Sequence, residues 1–414
     1  MAAERVDLRP WLVVAVGFAA LAASFTARSS LGLAMPTWEA EFGWSRGFVS
    51  TVGALALVTM AAAAPISGRM VDRYGPRAFI AAGLALVGVG ILATTGMTRE
   101  WHLLAAFSGL AGLGFGTVAM HVVSTGVAGF FTANRGLALG VATSGATAGQ
   151  LVLMPAMGSA LETAGWRWGF TGLAVLCLAL APVAWLLLGA GRGAAAGRAA
   201  QPFAQAAAAP VVAALRARVW LRDPVFHALL WSYVICGFTT SGVIEVHLLP
   251  YATACGFPPQ QSTTAYGLLM AFNLAGMIAA GWLADRMHRP LLLGIIYIVR
   301  GLSFLILVDI VGDLPRLLVF AVVFGLFDYA TVPVTASLVA SHLGLRVMGL
   351  IMGVLAAGHA LGAALGAFLA GVLYDLFAQY LWVWLAALVL AIGAGIVSFT
   401  IRERRSGAPV AAAA

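Results

Sequence analysis

Twelve apolar runs, each of more than 20 residues, fill most of this chain and are separated by short polar loops. A helix that crosses a bilayer needs about 20 predominantly apolar residues. Charges, prolines and glycines punctuate the runs at roughly 11–36, 47–70, 78–98, 102–130, 136–160 and 168–190, then at 225–254, 262–284, 290–311, 316–340, 347–374 and 380–401. Composition agrees: 62% of residues are hydrophobic and 9% charged, against roughly 25% charged in soluble domains. Too little polar surface exists to keep such a chain in water, so the bilayer is its expected solvent. The first run, from Trp11, is too long for a signal h-region and is expected to remain as a span.

The net charge of +8 could suggest nucleic acid, but no basic face is interleaved with stacking aromatics, so no nucleic-acid partner is expected. The charge follows topology instead. With the N-terminus in the cytoplasm, 17 arginines fall in inner segments and four in outer loops. Cytoplasmic loops of membrane proteins carry the excess of basic residues, so both termini are expected inside, across an even number of spans. The two remaining arginines, Arg28 and Arg300, fall inside spans. All basic residues are arginine, which excludes Schiff-base and P-loop chemistry that needs lysine. The three cysteines, Cys177, Cys236 and Cys255, lie far apart and read as small apolar fillers.

The longest segment without a span, 191–224, is rich in Ala and Arg with Gly and Pro breakers. It divides the chain into an expected six-helix bundle at 1–190, a cytoplasmic linker with a short surface helix near Val211–Leu221, and a second bundle at 225–414. "GRMVDRYGPR" (Gly68–Arg77) follows the second span of the first half. "GWLADRMHRP" (Gly281–Pro290) stands at the corresponding place of the second half, 213 residues on. A charged decapeptide repeated at equal register marks a parallel repeat.

Gly68-x-Met70-x-Asp72-Arg73-x-Gly75-x-Arg77 and its echo Gly281-x-Leu283-x-Asp285-Arg286 resemble the signature loops of the major facilitator superfamily. The resemblance covers nearly the whole chain. It implies an all-α membrane protein of twelve transmembrane helices in two pseudo-symmetric bundles. Gly68 and Gly281 permit close helix approach, and Asp72 and Asp285 can meet a helix N-terminus or an arginine. Asp72, Arg73, Asp285 and Arg286 are thus candidates for an inner gate; the arginines equally suit topology anchors. "FGWSRGFVS" (Phe42–Ser50), "NRGLALGVATSGATAGQ" (Asn134–Gln150) and "AFNLAGMIAAGWLADR" (Ala271–Arg286) resemble the monocarboxylate porter and oxalate:formate antiporter branch. That branch moves small organic anions, often with protons. It usually carries a carboxylate-binding arginine in span eight, four residues before the signature glycine; here that position is Met277, while Asn273 one turn earlier matches.

A charge at the bilayer centre costs roughly 2.5–3.5 kcal/mol even on mild insertion scales, so each intramembrane polar residue needs a partner or a role. Arg28 sits in the outer half of span one, where related carboxylate porters have a basic residue; anion ligand and outer-gate ion pair both fit. Glu245 and His247 lie at similar depth in span seven, the repeat mate of span one. Glu245 is a candidate gate partner for Arg28, and His247 can titrate near neutrality. Pro250 is expected to bend or end that helix. Arg300 and Asp328 fall mid-span in spans nine and ten and suggest each other as partners, with Asp328 also a proton-site candidate. His121 and His359 are lone histidines, structural unless they face cargo. By resemblance, His359 matches a position where oxalate-type antiporters carry a functional lysine. Neither has metal-ligand spacing with another His, Cys or Glu, so no metal site is expected. Gln150, Asn273, Tyr266 and Tyr329 can hydrogen-bond cargo or join helices. Gly358, Gly362 and Gly366 read as tight packing of span eleven.

The expected function is secondary active transport of a small organic anion, a carboxylate, across a bacterial inner membrane by proton-coupled alternating access. Arg28, His121, Asn273 and His359 are the candidate substrate ligands. Glu245, His247, Arg300 and Asp328 are the candidates for proton coupling or gating. A proton-coupled efflux pump for amphipathic compounds is the alternative. The polar residues are spread over many spans and form no catalytic triad, so no enzyme, cofactor or nucleotide motif is expected. The protein is expected to act as a multi-pass monomer.

Overall fold

The computed structural model describes residues 9–188 and 220–403. The described residues are helical and contain no strand. Twelve helices are long and apolar enough to cross a bilayer: Pro10–Phe42, Gly47–Tyr74, Pro76–Thr95, Glu100–Phe130, Arg135–Thr163 and Trp166–Leu187, then Pro224–Ala254, Gln260–Ala284, Arg289–Leu307, Leu314–His342, Leu345–Phe377 and Leu381–Phe399. They are called spans one to twelve. The even number places both described ends on one side, the terminal end. The expected linker and its surface helix near Val211–Leu221 lie outside the described residues, apart from the stretch from Trp220.

Local chemistry sets the boundaries. Gly43 takes a left-handed φ of 68°, and the Ser45 side chain accepts from Phe48 N at 3.1 Å as the N-cap of span two. Gly75, with φ 80°, closes span two, and Pro76 opens span three at its first turn. The echo loop has no glycine there; the His288 side chain caps Leu291 N at 3.3 Å instead.

Helix pairings repeat at an offset of six. Span one packs on five, two on four and three on six; likewise seven packs on eleven, eight on ten and nine on twelve. Two further seams cross between the sets, span two with eleven and span five with eight. Glycines make these seams. A Cβ on Gly145 or Gly149 would collide with the carbonyls of Phe18 or Ala22 in span one, and one on Gly362 or Gly366 with those of Val234 or Phe238 in span seven. The crossing seams are equivalent copies: Gly68 meets Gly349 backbone to backbone, and Gly281 meets Gly136 the same way.

Three spans are irregular. Span four contains a π-helical stretch at Leu104–Ala111 and breaks at Val118 and Ala119. Span seven has a π-helical stretch at Phe238–Ile244. Pro250, expected to bend or end that span, lies inside the helix that follows, which runs to Ala254; the irregularity falls earlier. Span ten is two helices, Leu314–Phe327 and Thr331–His342, with Asp328–Ala330 between them. Pro333 accounts for that break: it has no N–H for the Tyr329 carbonyl, and its ring excludes a helical carbonyl there.

Backbone-tight seams predict which glycines matter. Overpacking a filled core costs about 1–3 kcal/mol, so Gly145→Val or Gly149→Val should lower the unfolding midpoint of the purified protein by several degrees. Gly172→Ala, where an added Cβ meets open space, should leave it unchanged. Thermal unfolding in one detergent checks the contrast.

Candidate functional site

The two signature carboxylates cap helices of the opposite set. Asp72, at the end of span two, accepts from Gly349 N at 2.6 Å and Leu350 N at 2.7 Å. Those amides belong to the first turn of Met348–Phe377, the long helix of span eleven. Asp285, at the end of span eight, accepts from Gly136 N at 2.7 Å and Leu137 N at 2.8 Å, in the first turn of span five. The first-turn amides of a helix have no partner within it and carry its positive dipole end, so a carboxylate satisfies both needs. Of the two partners expected for these aspartates, helix N-terminus or arginine, the structure selects the first. Arg73 stacks on Tyr74, its guanidinium carbon 5.2 Å from the ring centroid. Arg286 stacks on Trp282 at 4.1 Å and donates to the Trp282 carbonyl. Arg77 stacks on Trp185 at 4.0 Å and donates to its carbonyl at 2.6 Å, tying span three to span six.

A second cluster lies where span seven's π-helical stretch meets the break in span ten. Asp328 is 1% exposed and Arg300 0%, yet the two do not form the direct ion pair expected of them. Thr240 donates to Asp328 Oδ1 at 2.6 Å and Asn273 Nδ2 to Oδ2 at 3.2 Å. Arg300 Nη1 donates to the Asp328 backbone carbonyl at 3.3 Å, to Thr240 Oγ1 at 3.3 Å and to Cys236 Sγ at 3.1 Å. The helix break explains the substitution: it frees a backbone carbonyl for the guanidinium, and the threonine hydroxyl bridges the remaining gap. Asn273 Oδ1 takes the freed Tyr329 N–H at 3.2 Å. Tyr329 Oη then donates to Glu245 Oε1 at 2.6 Å, where Ser241 also donates at 3.1 Å.

Arg28 approaches this cluster from span one. Its guanidinium lies 4.5 Å from the Phe25 ring centroid, and among the described residues no carboxylate pairs with it. It does not form the ion pair with Glu245 that equal depth suggested, because Tyr329 and Ser241 hold that carboxylate. Arg28 and Glu245 both lie near enough to Tyr266 and Tyr329 for their charges to act there.

The other candidates divide. His359 packs on Tyr233 with ring centroids 5.3 Å apart and neighbours the Cys236 thiol. His121 is 2% exposed, and its Nε2 meets Ser67 Oγ at 3.0 Å, joining spans four and two away from the cluster. His247 bridges to the Ala367 carbonyl at 3.1 Å and to Tyr380 Oη at 3.4 Å, outside the network. Gln150 donates to Ser29 Oγ at 3.0 Å and joins span five to span one. Met277 packs with Tyr329, Val332 and Met120, and Thr147 donates to its sulfur at 3.7 Å. Cys236 corrects the sequence expectation: its thiol is a polar partner of Arg300, not an apolar filler. Thr240 and Ser241 join the network without having stood out in the sequence. The run "CGFTTSG" (Cys236–Gly242), three hydroxyls in the middle of an apolar span, carries the signal that could have found them. Among the described residues no group of three or more His, Cys, Asp or Glu side chains could hold a metal ion.

Twelve spans paired at an offset of six, equivalent crossing seams and crossed helix caps define the architecture of a multi-pass membrane transporter. The chain belongs to the Major Facilitator Superfamily, whose family model matches residues 17–344 and 278–414. It is similar to human "Monocarboxylate transporter 11", 29% identical over 348 residues, covering 81% of this chain and 70% of that protein. It is also similar to "Uncharacterized MFS-type transporter YcxA" of Bacillus subtilis, 25% identical over 400 residues, covering 94% and 93%. A crystal structure of a double-tryptophan XylE mutant shares the fold, with a TM-score of 0.70 at 15% identity over 94% of this chain and 93% of that one.

The crossed caps yield a prediction. A hydrogen bond to a charged group is worth about 1.5–3 kcal/mol, and each carboxylate makes two across a seam. Asp72→Asn with Asp285→Asn should therefore raise the population open at the terminal end by about tenfold or more. Spin labels on the exposed Tyr74 and Met287 read this as a new, longer distance population; an unchanged distribution would show that the caps do not hold that end shut.

Proposed function

We propose that this transporter moves a small organic anion, a carboxylate, across a bacterial inner membrane by proton-coupled alternating access. Residues 1–190 and 225–414 are the two bundles that rock, joined by the linker at 191–224, with both termini cytoplasmic. The arginine distribution supports that orientation. In it, the Asp72 and Asp285 caps lie at the cytoplasmic end and hold it closed.

One observation carries the substrate class. Arg28 is an arginine at membrane depth, permanently charged, with an aromatic ring but, among the described residues, no carboxylate paired with it. Such a cation is costly unless it is matched by an anion in the working cycle. Tyr266 and Tyr329 stand near it as hydroxyl-bearing neighbours, and Asn273 and His359 approach the same network. The monocarboxylate relative adds weight by its name. Asp328 and Glu245 are the acids connected through Asn273 and Tyr329, and they suit a proton that travels with the anion. His121 and His247, engaged in helix ties, serve packing in this scheme more than cargo.

The alternative, proton-coupled efflux of amphipathic compounds, is favoured by Met277. Where relatives of the monocarboxylate branch place a cation, this chain packs a thioether with Met120, Tyr329 and Val332. The two readings separate in a binding screen. Thermal shifts with a panel of carboxylates on the purified protein, followed by proteoliposome uptake of those that stabilise it, test the anion. Uptake should collapse with an uncoupler; uptake that survives full loss of the proton gradient would exclude symport. Arg28→Gln should weaken the stabilising carboxylate at least tenfold, the equivalent of about 1.4 kcal/mol. Equal binding by wild type and Arg28→Gln would remove Arg28 from the site.

A further inference from the structure

Arg300 is more deeply enclosed than any other charged residue described, with 0% exposure. Its Nε and Nη2 have no hydrogen-bond partner, so Nη1 carries all its polar contacts. A guanidinium cannot shed its proton in a protein, and an unmatched buried charge is costly. The cation must therefore be balanced by an anion within the protein. The contacts show two acids around it. Asp328 presents its carbonyl to Arg300 but its carboxylate only through Thr240. Cys236 presents its sulfur directly, at 3.1 Å from Nη1.

We propose that Cys236 is a proton-carrying residue of the transport cycle, sharing one negative charge with Asp328 around the fixed Arg300 cation. This rests on the proton-coupled reading of the protein for its use, though not for its test. Thr240 and Asn273 both lie within hydrogen-bond distance of the Asp328 carboxyl; when that group is ionised it accepts from both, and Cys236 keeps its proton. When Asp328 takes a proton, the thiol gives one up, and the thiolate becomes the direct counter-ion of Arg300. The sum of charges stays constant: one cation, one anion, one proton over two acids.

The surroundings give that proton somewhere to go. The titratable and charged groups that act on the thiol are Arg300 and Tyr297 from span nine, Asp328 from span ten, His359 from span eleven and Tyr233 from its own span. Arg300 fixes the charge, and the tyrosines are weak acids. His359 remains as the exchange partner: the thiol passes its proton to the neutral ring as Asp328 takes one, and the protonated ring returns a proton to the thiolate as Asp328 releases its own, so one of the two acids stays ionised throughout. Thr331 Oγ1, 3.5 Å from the sulfur, orients it. Sequentially, Cys236 lies one turn before Thr240 and nine residues before Glu245, so the acids run along one helix. Glu245, Asp328 and Cys236 thus form three stations at successive depths, with His359 at the terminal-end side.

The S–H stretch in the infrared spectrum of the full-length protein reads the thiol directly, without substrate or transport. Cys177→Ala and Cys255→Ala remove the other two thiols. In that background Asp328→Asn should abolish the S–H band at neutral pH, because the thiol alone must then balance Arg300. Adding Arg300→Met should restore it. Asn273→Leu, which strips a donor from the carboxylate while keeping Asp328, should weaken the band. An undiminished band in either Asp328→Asn or Asn273→Leu, whichever folds, overturns the shared charge. Loss of the band in a protein that takes up no anion would uphold the proton site while the substrate reading fails.

Discussion

In a bilayer every backbone polar group must find its partner within the protein, and the break in span ten organises the polar interior around that demand. Pro333 ends regular hydrogen bonding at Asp328–Ala330. The freed Tyr329 N–H goes to Asn273, and the freed Asp328 carbonyl goes to Arg300. Those two side chains are then fixed in place, and each carries its remaining polar capacity into the same cluster. The amide of Asn273 reaches the Asp328 carboxylate, and Arg300 reaches Thr240 and Cys236. The polar network is thus a consequence of repairing one helix break, and the break is held open by the network.

The crossed seams show a second economy. Gly68, Asp72, Gly136 and Gly140 recur as Gly281, Asp285, Gly349 and Gly353, all at the same offset of 213 residues. The small residues let two helices touch backbone to backbone, which brings each aspartate within reach of the next helix's first amides. Either feature without the other would fail: without the glycines the carboxylate stands off, and without the carboxylate the close-packed first turn has unpaired N–H groups. The contact is strong, local and confined to one end. It therefore suits the proposed rocking, in which the two sets would separate at that end without disturbing the packing of spans within each set.

The architecture is legible because it rests on repetition and hydropathy. Twelve runs, a duplicated decapeptide and the glycine spacing of span eleven need no side-chain geometry. The position of Asp72 and Asp285 after a span leaves a helix N-terminus and an arginine both open as partners, and only the geometry chooses the helix N-terminus. The site is less legible. Arg300 and Asp328 are recognisable as a pair by charge and depth, but the bridging of Thr240 depends on a π-helical stretch whose register the sequence pattern does not announce. Arg28 and Glu245 match in depth, yet depth leaves azimuth open, and Tyr329 claims the glutamate. Residue type alone makes Cys236 a filler, since a thiol among apolar residues usually packs as one; its polar role comes from an arginine 64 residues away.

Two cations at membrane depth stand in different situations, and the difference supports the separate roles proposed for them. Arg28 is partly exposed, rests on Phe25 and, among the described residues, has no carboxylate paired with it. Arg300 is sealed in and surrounded by acids of the chain itself. A cargo anion can neutralise the first, but nothing from solution needs to neutralise the second. In the proposed cycle, proton movement among Glu245, Asp328 and Cys236 would change the field near Tyr329 and Tyr266, and Arg28 lies near those same two residues. Under that proposal coupling would require no contact between cargo and proton: a proton that neutralised Glu245 would remove the negative charge competing for Arg28's surroundings and make an anion easier to accept there. Met277 fits this division, because a second cation in span eight would compete with Arg28 for the cargo and with Arg300 for Asp328.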